Sequence, residues 1–146
     1  ERFHKSDPIL EQELDAIENH LENTLSEVIK TAHDFEVEIL IGSSGAFTSM
    51  AKMIASNLNE PEKLIHSTEY ELNLLEFEKI KENIVQLTLD ERRELPGLIK
   101  ERAPMIVVGT MLVDYVLKKL QIQQFKLARY ALKEGVANEF LNCFTH

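Results

Sequence analysis

Apolar residues recur at spacings of three and four through residues 10–28, as Leu10, Leu14, Ile17, Leu21, Leu25 and Val28. That spacing predicts an amphipathic helix with one apolar stripe and an acidic outer face. Ser6 or Asp7 is placed to cap it, Pro8 suits its first turn, and Glu11 and Glu13 lie near the positive end of its dipole. The period then changes to two. Residues 36–41, EVEILI, predict a strand with Val37, Ile39 and Ile41 on a firmly buried face. Helical spacing returns through Phe47, Met50, Ala51, Ile54 and Leu58, and stops near Asn59 and Pro61.

Beyond this point the pattern weakens. A short strand is predicted either around residues 64–66 or around residues 70–72. A helix starting near Asn73 takes in Leu74, Leu75, Phe77, Ile80, Ile84 and Leu87, and a short capped helix follows Thr88. Residues 96–98, PGL, interrupt it. Residues 105–120 are apolar almost all round, the signature of a buried helix, with Pro104 in its first turn and Lys118 and Lys119 at its C-terminal end. A strand with Ile122, Phe125 and Leu127 apolar and a last helix over about residues 131–141 complete the chain. The fold class is α/β, helices packed on a small sheet. Two clear strands are too few for a self-sufficient sheet.

Composition narrows the function classes. The 146 residues fit a single domain over 1–146, with 44% hydrophobic and 28% charged residues. A net charge of −9 argues against nucleic acid and anionic membranes as partners. No apolar run approaches the ~18 residues of a bilayer span, and the opening ERFHKSDP is not a signal peptide. The chain does not open on Met, so it is expected to be cut from something longer. Its one cysteine, Cys143, excludes an internal disulfide, fits a reducing cytoplasm and reads as a small apolar residue near a helix end.

The chemistry concentrates in one place. Gly42, Ser43, Ser44 and Gly45 join the first strand to the next helix. A glycine-rich turn at a helix N-terminus brings backbone N–H groups and the helix dipole to bear on an anion, and Ser43, Ser44 and Thr48 add hydroxyl donors. The spacing is neither a P-loop nor G-x-G-x-x-G, so a phosphate- or nucleotide-binding turn and a purely structural turn both stand. The five histidines, His4, His20, His33, His66 and His146, have no ligand spacing, so no metal site is expected. Arg92 and Arg93 sit among carboxylates in DERRE and read as surface ion pairs or, alternatively, as a polyanion-facing patch. Arg102 and Lys133 are further basic residues near element ends.

Read together, four segments resemble the exopolyphosphatase / guanosine pentaphosphate phosphohydrolase (Ppx/GppA) family. Residues 42–46 resemble its G-x-[SG]-G-T turn, residues 97–103 with Pro104 its G-L-x-x-x-R-A-[DE] segment, and residues 131–135 its A-L-[RK]-E-G segment. The opening resembles the stretch that follows the family's D-x-G-G-G-S motif. Ala46 stands where the family usually has Thr, Pro104 where it has an acid, and Lys133 where it has Arg, which keeps the charge and loses the planar fork.

The resemblance implies an actin-like, ribonuclease H-like two-lobed fold, of which this chain is the C-terminal part of the second lobe. It implies a parent that removes terminal phosphate from inorganic polyphosphate or guanosine pentaphosphate with Mg²⁺ and an activated water. The catalytic Glu and the D-x-G-G-G-S loop are not among these residues, so no catalytic residue is assigned and the isolated chain is expected to be inactive. On this resemblance Gly42, Ser43, Ser44 and Gly45 face the interlobe cleft, with Arg102 and Lys133 as polyanion contacts. The other reading is a non-catalytic phosphate- or nucleotide-binding regulatory module on the same fold. An incomplete sheet leaves an open edge, which predicts a two-fold homodimer.

Overall fold

The computed structural model describes residues 2–43 and 45–142; Ser44, Cys143 and His146 lie outside the described residues. Within them the chain runs α1 (Glu11–Asp34), β1 (Ile39–Ser43), α2 (Gly45–Asn57), α3 (Pro61–His66), β2 (Glu69–Glu71), α4 (Leu74–Ile84), α5 (Leu89–Arg93), a 3-10 turn (Lys100–Arg102), α6 (Ala103–Lys119), β3 (Gln124–Ala128) and α7 (Leu132–Asn142). The sheet order is β1-β3-β2. β1 and β3 are parallel, with Leu40 opposite Phe125 and Gly42 opposite Leu127. β2 adds antiparallel on the far side, with Tyr70 opposite Leu127.

The inward face of the sheet carries Phe125, Leu127 and Tyr70, and the helical layer meets it with Met50, Ile54, Phe77, Ile80, Ile84, Ile106 and Val107. Phe77 meets Phe125 edge-on at a centroid distance of 5.3 Å, a favourable aromatic geometry. Local capping agrees with the sequence at two sites. The Asn73 side chain accepts the Glu76 N–H at 3.0 Å, and Thr88 and Glu91 cap each other's backbone in a capping box.

Several expectations are corrected. The first strand begins at Ile39 rather than at 36, because α1 ends in a Schellman motif that uses the preceding residues. Glu36 takes the left-handed conformation (φ 49°), its N–H bonds the His33 carbonyl and the Val37 N–H bonds the Ala32 carbonyl. The face predicted to be firmly buried is the outward one: Val37 is 38% exposed and Ile41 60% exposed. Residues 61–66 form a helix, and the short strand lies at Glu69–Glu71. α4 ends at Ile84, before Leu87.

The start of α1 differs for a clear reason. Asp7 does not cap it, and Pro8 lies outside it. Leu10 occupies the cap position, with its N–H bonded to the Glu13 carboxylate at 3.0 Å. Asp7 instead accepts the Leu89 N–H at 2.8 Å, far along the chain. Of the apolar stripe on α1 only Ile17 is buried, because α6 covers that helix only in part.

Candidate functional site

Two parallel strands end side by side, and each feeds a helix. Ser43, the last residue of β1, pairs with Ala128, the last residue of β3. The turn at 42–45 leads from the first strand into α2, and residues 129–131 lead from the second into α7. The C-terminal end of such a pair is where open α/β sheets hold ligands, because helix N-termini converge there.

The two glycines of the turn serve different physical needs. Gly42 is buried under the Phe47 ring, and a β-carbon on it would lie 2.1 Å from that ring. The ring in turn meets Phe125 edge-on at 6.4 Å. Gly42 is therefore required by packing. Gly45 takes φ +48°, and a β-carbon there would meet nothing within 4 Å. Gly45 is required by backbone conformation, and it borders open space. Ser43 is exposed and Thr48 half-buried. Ser44 lies outside the described residues.

The electrostatics of the two helix starts differ. At α7 the Glu134 carboxylate accepts the Ala131 N–H at 2.8 Å, which holds its pKa below the usual carboxylate range and satisfies the helix end internally. α2 has no acidic residue in its first turn, in a chain with 25 acidic residues. Its dipole and N–H groups are left without an anionic side chain of their own. One turn further in, the Ser49 hydroxyl is buried without a hydrogen-bond partner, as is the Thr110 hydroxyl on α6.

The basic residues lie apart. Gly97, ahead of α6, rests on the Lys52 carbonyl, and Gly109, within α6, on Ala46 at the start of α2. Arg102 closes the 3-10 turn before α6, seven residues ahead of Gly109, and is exposed. Lys133, at the start of α7, lies at the same end of the sheet as the turn; it is 84% exposed and 3.3 Å from Glu134. Arg129 reaches the same strand end, but its guanidinium donates to the Ile65 carbonyl. Arg92 and Arg93 separate. Arg93 pairs with Asp90 at the surface, whereas Arg92 is 2% exposed and is neither a surface pair nor a polyanion-facing group. Nothing in its neighbourhood in sequence signals that burial; the partner, Asp7, is 85 residues away.

The turn offers N–H and O–H donors and no carboxylate. That set suits a phosphate oxygen and does not suit Mg²⁺, which takes carboxylates together with substrate phosphates. Among the described residues no group of three or more His, Cys, Asp or Glu side chains is placed to hold a metal ion. A cavity of about 850 Å³ opens at the opposite end of the strands, lined by His33, Glu36, Lys119 and Gln121. Its walls are the exits of α1 and α6, whose last carbonyls already accept hydrogen bonds within Schellman motifs.

The sequence profile of the Ppx/GppA phosphatase family matches residues 1–143. The chain belongs to the Ppx/GppA phosphatase family. An exopolyphosphatase from Cytophaga hutchinsonii superposes with a TM-score of 0.88 at 33% identity, over 97% of this chain and 45% of that one. The Ppx/GppA family member of Aquifex aeolicus shares the fold with a TM-score of 0.79 at 23% identity, over 99% of this chain and 45% of that one. In sequence the chain is 22% identical to the guanosine-5'-triphosphate,3'-diphosphate pyrophosphatase of Photobacterium profundum, over 100% of this chain and 28% of that protein. A 53-residue stretch is 36% identical to exopolyphosphatase 1 of Mycobacterium leprae, covering 36% of this chain and 16% of that protein. The chain thus spans less than half the length of these relatives. Its helices on a small mixed sheet are part of the actin-like fold of Ppx/GppA proteins.

Proposed function

We propose that this Ppx/GppA chain acts as the later part of the second lobe of a cytoplasmic phosphatase, one that removes terminal phosphate from inorganic polyphosphate or guanosine pentaphosphate. In this reading Gly42, Ser43, Ser44 and Gly45 hold phosphate at the cleft with backbone and hydroxyl donors, and Lys133 approaches from the neighbouring helix start. Arg102, at the end of the 3-10 turn before α6, contacts a longer polyanion. The catalytic carboxylate and the Mg²⁺ ligands come from residues beyond these 146. The observation that carries the reading is the N-terminus of α2: a glycine turn at the C-terminal end of two parallel strands, bordering open space, with no acidic residue in its first turn. No helix among the described residues is long and apolar enough to cross a membrane.

The test has two arms. With Mg²⁺ present, the 146-residue chain is expected to release no phosphate from polyphosphate or guanosine pentaphosphate, yet to bind a short polyphosphate by calorimetry. Binding should weaken in Gly45→Ala and Ser43→Ala. Hydrolysis by the chain alone overturns the assignment of the catalytic groups. Absence of binding, or binding indifferent to both substitutions, overturns the role of the turn. A second reading, a non-catalytic phosphate-binding regulatory module, rests on Ala46, which brings no hydroxyl to the turn. It is favoured if an N-terminally extended protein binds as well as the chain does and still hydrolyses nothing.

We further propose that the isolated chain forms a homodimer. The support is the free outer edge of β1, bordered by the exposed Ile41.

A further inference from the structure

Residues 2–10 cross the molecule as a strap before α1. Phe3 packs on the His20 ring at 4.8 Å and Ile9 is buried in the core. The rest of the strap is held by two carboxylates. Glu13 accepts the N–H groups of Lys5 at 2.8 Å, Ser6 at 3.1 Å and Leu10 at 3.0 Å. Asp7 accepts the Leu89 N–H at 2.8 Å and the Arg92 guanidinium at 3.2 Å. Arg92 heads the large, fully buried side chains of the molecule. Its second donor reaches the Leu87 carbonyl at 3.1 Å, and its Nε has no partner.

A buried guanidinium is an expensive way to fill space. An apolar side chain of similar volume commonly serves stability as well or better, so a buried charge pair is better explained by what it orients. The fork of Arg92 fixes Asp7 from one side while the start of α5 fixes it from the other. We infer that Arg92 is a positioning residue, which locks Asp7 onto the start of α5 and thereby sets the path along which residues 2–10 enter the domain. Leucine or methionine at 92 would fill the core and leave that path undefined. Lysine would supply charge without the planar fork needed to reach both the Leu87 carbonyl and Asp7. This inference stands whether or not the turn at 42–45 binds phosphate.

Hydrogen exchange on the 146-residue chain, read residue by residue, tests it beside a urea melt. In Arg92→Met the melting midpoint is expected to hold while the Lys5, Ser6 and Leu89 amides exchange at least tenfold faster. Arg92→Lys is expected not to restore them. Asp7→Ala leaves the Arg92 guanidinium without its carboxylate, so a lowered midpoint is expected, with the same three amides loosened well beyond the core amides. Unchanged strap protection in Asp7→Ala overturns the inference, and so does a uniform acceleration of all amides with a lowered midpoint. Should Arg92→Met not fold, Asp7→Ala decides alone.

Discussion

Phe47 lies against Gly42 at one end of the turn while Gly45 at the other end faces open space, and this asymmetry separates two kinds of substitution. Gly42→Ala drives a methyl group into the ring and is expected to cost about 1–3 kcal/mol of stability, as overpacking does. Gly45→Ala meets no atoms, and its cost is only that of a left-handed alanine, about 1 kcal/mol. Urea melts of the two variants check the order. A second residue-scale expectation concerns acid. The Glu13 carboxyl is lowered from 4.5 to about 2, chiefly by the Leu10 N–H and then by those of Lys5 and Ser6. The folded value lies below the unfolded one, so this contribution is complete above pH 4.5 and fades as the pH falls from there through about 2. Exchange at Lys5 and Ser6, followed down that window, should rise before the core amides respond; a strap indifferent to pH would count against the assignment.

Three helices stop in the same way. α1, α2 and α6 each close in a Schellman motif whose left-handed residue is not glycine: Glu36, Asn59 and Gln121, at φ 49°, 54° and 53°. Glycine at Glu36 or Gln121 is expected to stabilise the chain by about 1 kcal/mol each, since a side chain in this conformation carries that penalty; Asn59 should gain less, because asparagine tolerates it. Unchanged or lowered urea midpoints would refute this. The same motif explains what the sequence concealed. Periodicity exposed the long helices, the capping signals at Asn73 and Thr88 were readable, and so was the glycine turn. Of the left-handed exits only Asn59 was signalled; Glu36 and Gln121 were not, because glycine is the usual sign and none stands there, and EVEILI alternates through one of them as if it were all strand. The link from Asp7 to Leu89 and Arg92 was unreadable for another reason: no local pattern reports a partner so distant in the chain.

At the scale of the whole molecule, an apolar helix face and an open sheet edge stand on the surface. α6 packs on α1, α2, α4 and α5, with Gly109 against Ala46 of α2. Along it Met105 is 67% and Leu112 40% exposed, with Val108, Gly109 and Val116 half-buried, a stripe without a single charge. β1 forms one outer edge of the three-stranded sheet. Light scattering on the isolated chain is expected to report twice 16.8 kDa, and Leu112→Glu to return the mass of one chain. A wild-type monomer at high concentration would rule out the self-pairing.

That neutral stripe belongs to a molecule of net charge −9. Two such chains repel at long range and attract only on contact, so the encounter, rather than the contact, governs how fast they meet. Salt shortens the reach of the repulsion to about 10 Å at 0.1 M and leaves the apolar contact untouched. Association should therefore quicken as salt is added, the reverse of what an ion-paired interface would do.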